Sequence, residues 1–109
     1  MFRIRRFRAS DTKEVTRVIT SGLKQLFNCR KIDLGEELID DLSDIHRNYI
    51  ARGGAFYVGE YDGRVIGTVA VLPAGRNAAR LKRMYLYRTY RRRGFGSRLY
   101  DAAESWCKR

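Results

Sequence analysis

Arg91, Gly94 and Gly96, spaced R-x-x-G-x-G, are the residues of this chain best suited to hold an anion. They stand where an apolar strand gives way to a helix that opens at Gly94-Phe95-Gly96. A helix N-terminus leaves several backbone N–H groups unpaired and carries the positive end of the helix dipole. Glycines there let an anion come close to the backbone. The amides of Arg92 to Ser97 are the expected donors, and Arg91, Arg92 and Arg93 add charge. No Lys follows Gly96, which argues against a Walker-type nucleotide site, and Leu99 stands where a dinucleotide fingerprint needs its third glycine. The formal net charge is +11, and nine of the 23 Lys and Arg lie between Arg76 and Arg98, where there is no acid. The excess therefore surrounds the glycine turn. Charge so localised fits a phosphate-rich ligand, and it would also fit nucleic acid, with Tyr87, Tyr90 and Tyr100 interleaved for base stacking.

Other reactive residue types offer less. His46 is the only histidine, and no Cys, His or Asp is spaced around it as in a metal site, so a surface or packing role is expected. Cys29 and Cys107 form no C-x-x-C pair and read as two reduced, structural thiols of a cytoplasmic protein. Cys107 is expected in the core. No apolar run approaches the roughly 18 residues of a membrane span, and Met1 to Phe7 has no continuous apolar segment of the kind a secretory signal needs. With 44% hydrophobic residues and one proline, residues 1–109 read as a single small globular domain.

The elements that must position the turn follow from periodicity. Phe2, Ile4 and Phe7 suggest a first strand. Asp11 and Glu14 resemble a capping box, and the helix after them sets Val15, Val18, Ile19, Leu23, Leu26 and Phe27 on one stripe. After a break at Asn28 to Lys31, a second helix is expected from about Asp33 to Ala51, with Leu34, Leu38, Leu42, Ile45 and Tyr49 on its apolar face. Gly53-Gly54 stops it. Ala55 to Tyr61 and Arg64 to Leu72 form a hairpin around Asp62-Gly63, the strongest two-residue turn signal. Pro73 and Gly75 end the second arm. A fourth strand carries Leu81, Met84, Tyr85 and Leu86, and the last helix places Phe95, Leu99, Ala102, Ala103 and Trp106 on one face. The order β-α-α-β-β-β-α gives an α/β (α+β) fold.

The constellation of Leu81-Lys82-Arg83-Met84-Tyr85-Leu86, the spacing to Arg91, both glycines and the apolar helix bearing Ala102, Ala103 and Trp106 resembles the acetyl-CoA signature of the GCN5-related N-acetyltransferases. The resemblance covers the whole chain, which matches the first two-thirds of that family's fold, a mixed, mostly antiparallel sheet flanked by helices. It implies an acetyl-CoA-dependent N-acetyltransferase domain, apparently truncated after its acetyl-CoA-binding motif and helix, with no metal. Coenzyme A is expected to meet backbone groups of Met84, Tyr85 and Leu86 and the cradle of Arg91, Arg92, Arg93, Gly94, Phe95, Gly96 and Ser97. In some members of the family a Glu on the fourth strand or nearby is the base. Here that strand carries Lys82 and Arg83, so Glu60 beside the hairpin is the nearest candidate, with Asp62 serving the turn. The acceptor, a small-molecule or peptide amine, is not legible. Self-association is expected to cover the exposed strand and helix. Two other functions are open: a coenzyme A-binding module without turnover, and a small basic nucleic-acid-binding module.

Overall fold

The computed structural model describes residues 1–26 and 39–108. Four strands, β1 (Phe2–Arg6), β2 (Ala55–Tyr61), β3 (Arg64–Pro73) and β4 (Ala79–Leu86), form one sheet in the order β1-β2-β3-β4. Every neighbouring pair is antiparallel. Helix α1 (Thr12–Leu26) covers one face and helix α2 (Phe95–Cys107) the other.

Side-chain alternation divides the core in two. Phe56, Val58, Ala70 and Leu72 face Val15, Val18, Ile19 and Leu23 of α1. Tyr57, Val69 and Val71 face Leu99 and Ala103 of α2. β3 lies between two strands and under two helices, which explains its nearly unbroken apolar run from Val65 to Leu72. Its one buried hydroxyl, Thr68, donates to the carbonyl of Arg83 at 2.7 Å. At the β2–β3 turn, Asp62 has φ of 51° and Gly63 of 85°. That pair of left-handed residues matches the right-handed twist of the strands it joins.

Several sequence expectations need correction. Asp11 and Glu14 do not form a capping box: the Asp11 carboxylate accepts the Arg8 N–H at 2.8 Å in a short 3-10 turn, whereas Glu14 accepts the Val65 N–H of β3 at 2.6 Å. Leu26 is exposed beyond the sheet, and Cys107 is exposed rather than in the core. From Asp40 to Ile50 the chain is helical but not one regular α-helix, with a 3-10 turn over Asp40–Asp44 and a π turn over His46–Ile50. The wider turn is closed by the Ala51 N–H on the His46 carbonyl at 2.8 Å, and Leu42, Ile45 and Tyr49 are buried as their spacing predicts. Phe27, Cys29, Leu34, Leu38, the break at Asn28 to Lys31 and the expected helix start at Asp33 lie outside the described residues.

Candidate functional site

The cradle is built where β4 runs into α2. After a 3-10 turn over Arg88–Tyr90, Arg91 is extended, Arg92 is left-handed with φ of 66°, and Gly94 is left-handed with φ of 81° at the N-cap of α2. Left-handed residues interleaved with others turn successive amides toward a common concavity, the geometry that binds anions. The first backbone bond of α2 runs from the Arg98 N–H to the Gly94 carbonyl at 3.2 Å, so the N–H groups of Phe95, Gly96 and Ser97 lie ahead of it at the open end of the helix. A Cβ placed on Gly94 or on Gly96 would meet no atom within 4 Å. Both glycines therefore border open space in front of the helix N-terminus, which a phosphate group would fit.

Side chains fix this end of α2 from behind. The Phe95 ring stacks on Phe2 of β1, with centroids 4.1 Å apart and planes inclined by 11°. The Arg98 guanidinium lies over the other flank of Phe2, 4.9 Å from the ring centroid. Phe95 thus anchors the helix, leaving its amide as the group it can offer a ligand. Arg91, Arg92 and Arg93 are exposed; Arg91 donates to Gln25 of α1 at 3.2 Å, and Arg93 lies over the Tyr90 ring at 5.5 Å.

The edge of β4 supplies the second part. The Tyr87 N–H bonds inward to the Ile66 carbonyl at 3.0 Å. Backbone groups alternate along a strand, so Leu86, and two residues earlier Met84, turn N–H and C=O to the outer edge. Tyr85 instead pairs with Thr68 of β3, and its ring fills the space beside Gly22 of α1. Met84 and Leu86 are therefore the edge's candidate ligand contacts. Between the pairs Thr68↔Tyr85 and Ala70↔Lys82, β4 carries one residue more than β3, a β-bulge at Arg83. Nothing in the spacing of the sequence marked that bulge.

Glu60 sits between two arginines of β1. Its carboxylate accepts from Arg3 at 2.8 Å and from Arg5 at 3.1 Å. The hydrogen bond from Arg5, joined by that from Arg3, holds it below the ordinary carboxylate range. A carboxylate so stabilised as an anion is a weaker proton acceptor. Arg5 also grips Asp11 through two bonds of 2.8 Å, so Glu60 belongs to an ion-pair network joining β1, β2 and the start of α1. The tyrosines do not form a common stacking platform either: Tyr87 packs against both cores and Tyr90 against Tyr61, while Tyr100 is exposed. His46 is exposed. Among the described residues no group of three His, Cys, Asp or Glu could hold a metal ion, and no helix is long and apolar enough to cross a membrane.

Comparison with known proteins agrees with this geometry. The profile of the Acetyltransferase (GNAT) family matches residues 21–109. An acetyltransferase of the GNAT family from Staphylococcus aureus is 27% identical, with a TM-score of 0.86 over 99% of this chain and 67% of that one. Ard1 from Thermoplasma volcanium is 28% identical, with a TM-score of 0.72 over 98% of this chain and 64% of its own. PaiA N-acetyltransferase from Thermoplasma acidophilum, solved in complex with coenzyme A, shares the fold at 22% identity, with a TM-score of 0.80 over 99% of this chain and 72% of that one. The chain spans about two thirds of the length of these structures. No curated protein matches it by sequence.

Proposed function

The chain belongs to the GNAT acetyltransferase family, and from that premise we propose that it binds acetyl-CoA and takes part in transfer of the acetyl group to an amine. The observation that carries this is the cradle: two glycines bordering open space at the N-terminus of α2, directly after β4, with three exposed arginines beside them. Coenzyme A bound to the PaiA relative supports the same ligand here.

In this reading the amides of Phe95, Gly96 and Ser97 hold the pyrophosphate, and Arg91, Arg92 and Arg93 raise the local positive potential. Acetyl-CoA supplies the acetyl group as a thioester. The outward backbone groups of Met84 and Leu86 pair with the pantetheine amides as an added strand would. A β4 amide serves as the donor to the thioester carbonyl oxygen, stabilising charge that grows there when an amine attacks. Positioning of this kind is the main chemical contribution of the fold. Glu60 is not the base in this scheme, because Arg3 and Arg5 already hold its carboxylate.

Isothermal titration of acetyl-CoA into the wild type and into Gly96→Glu tests the cradle. Wild type should bind with a Kd on the order of micromolar. The variant should lose about a hundredfold or more, because it sets a like charge where the phosphates lie. Equal affinities would overturn the assignment. A Cβ on Gly96 meets no atom within 4 Å, so the fold itself should survive.

Leu81, Met84 and Tyr100 are exposed, and Leu81 and Tyr100 line, with Val71, Ala103, Glu104 and Cys107, a mainly apolar groove of about 260 Å³ between β4 and α2. We infer that two copies associate through this face. Sedimentation equilibrium should return a dimer that Leu81→Lys disperses, and a monomeric wild type would refute it.

A further inference from the structure

The sheet edge that leads into the cradle is held in shape by side chains that take no part in the cradle itself. Arg83 accommodates the extra residue of the β4 bulge with φ of 52°, in the left-handed region that a long side chain seldom enters. Such a conformation is strained and persists only where the surroundings over-determine it. Here they do so from two sides. Thr68, wholly buried in the middle of β3, donates to the Arg83 carbonyl at 2.7 Å. On the other side, the Arg83 guanidinium meets Asp41 as a fork on a carboxylate, Nε to Oδ2 at 3.0 Å and Nη2 to Oδ1 at 2.5 Å. The Tyr49 hydroxyl donates to the same Oδ2.

This cluster is enclosed. The side chains of Arg83 and Asp41 are only 14% and 23% exposed, and Tyr49 is buried in the α1 core. Burial alone would push the Asp41 carboxyl up, but the hydrogen bonds from Arg83 and Tyr49 outweigh it and leave the group below its ordinary value. Burial, then the neighbouring carboxylate, pushes the Tyr49 phenol up. Charged Asp41 and neutral Tyr49 are therefore fixed through neutral pH. A buried ion pair of this sort is weak grounds for stability, since a packed apolar pair would serve as well. What it does supply is a directional hold on one backbone position. That position is the bulge. A pantetheine pinned by its pyrophosphate at Gly94–Gly96 and running back along the outer edge past Leu86 brings its thiol end toward Met84 and Arg83.

We propose that Asp41, Tyr49 and Arg83 are positioning residues that set the β4 bulge so that the strand edge distinguishes acetyl-CoA from free coenzyme A. The proposal rests on the cradle reading above. It predicts a division of labour: the cradle sets affinity for the shared nucleotide, while the bulge sets the increment due to the acetyl group.

Titration of coenzyme A and of acetyl-CoA into wild type, Asp41→Asn and Tyr49→Phe tests it. Wild type should bind acetyl-CoA about tenfold more tightly than coenzyme A, the worth of one well-placed hydrogen bond. Asp41→Asn should bring the two affinities within about twofold while leaving that for coenzyme A unchanged. A role in stability alone would lower the melting temperature and leave the ratio intact. If Asp41→Asn does not fold, Tyr49→Phe, which removes only the hydroxyl, decides in its place by a partial loss of the ratio. A ratio near one in wild type, or a full ratio in the folded variants, overturns the proposal and leaves the cradle standing. Failure of wild type to bind either ligand overturns both.

Discussion

Gly94 and Gly96 read alike in the sequence, yet a side chain would meet a different fate at each. Gly94 has φ of 81° and caps α2, while Gly96 lies in the first turn with no such constraint. Alanine at 94 would sit in a left-handed conformation costing about 1 to 2 kcal/mol. Alanine at 96 would shed the excess chain entropy of glycine and contribute about 0.4 to 1 kcal/mol. Urea denaturation should therefore show Gly94→Ala less stable than wild type and Gly96→Ala more stable. A Gly96→Ala variant less stable than wild type would show that this position needs the backbone freedom of glycine. The motif and its spacing were legible because each residue there acts through its type. The ion pairs of Glu60 were hidden for the opposite reason: its partners Arg3 and Arg5 lie 57 and 55 residues away, and only strand pairing brings them to it.

At the level of elements, local chemistry announced what local chemistry decides. Asp62-Gly63 marked the hairpin because both positions demand left-handed backbone, and the stripe of Val15, Val18, Ile19 and Leu23 marked the buried face of α1. The β4 bulge and the 3-10 and π turns from Asp40 to Ile50 were not legible, and the Asp41–Arg83 pair that ties these two regions together reaches 42 residues across the chain. Glu14 likewise looked like a cap and instead ties α1 to β3. A further element-scale device is Gly22, where α1 crosses β4. A Cβ there would come within 2.3 Å of the Tyr85 ring, a distance real contacts do not allow. Gly22→Ala should lift α1 from β4 and lower stability by about 1 to 3 kcal/mol, despite the gain in helix propensity. Gly22→Ala combined with Tyr85→Leu should recover much of the loss. A single variant as stable as wild type in thermal melts would show that α1 does not make this close approach.

For the whole molecule the governing quantity is charge. A formal net charge of +11 makes the compact state repel itself, and local carboxylates offset that repulsion. Asp11 is held below its ordinary value chiefly by the hydrogen bonds from Arg5, and Glu60 by those from Arg5 and Arg3. In Asp41 the bonds from Arg83 and Tyr49 overcome an upward push from burial. For a group depressed in the folded state, the unfolded chain binds the proton first on acidification. Its contribution is therefore complete above the unfolded value near 4 and is lost as pH falls through the lower, folded value. All three groups run in this direction, and protonating them also raises the net positive charge, so the two effects reinforce each other. Unfolding free energy from urea titrations should stay level from pH 7 to about 5 and fall steeply below about 4. Asp11→Asn should start lower, because Arg5 keeps only part of its partner set, and should then fall less steeply below pH 4. Added salt should restore part of the loss by screening the long-range repulsion, but little of the share owed to the Arg5–Asp11 contact, whose side chains are only 15% and 8% exposed. A wild type equally stable at pH 3 and pH 7 would mean that these carboxylates are no better held in the folded chain than in the unfolded one.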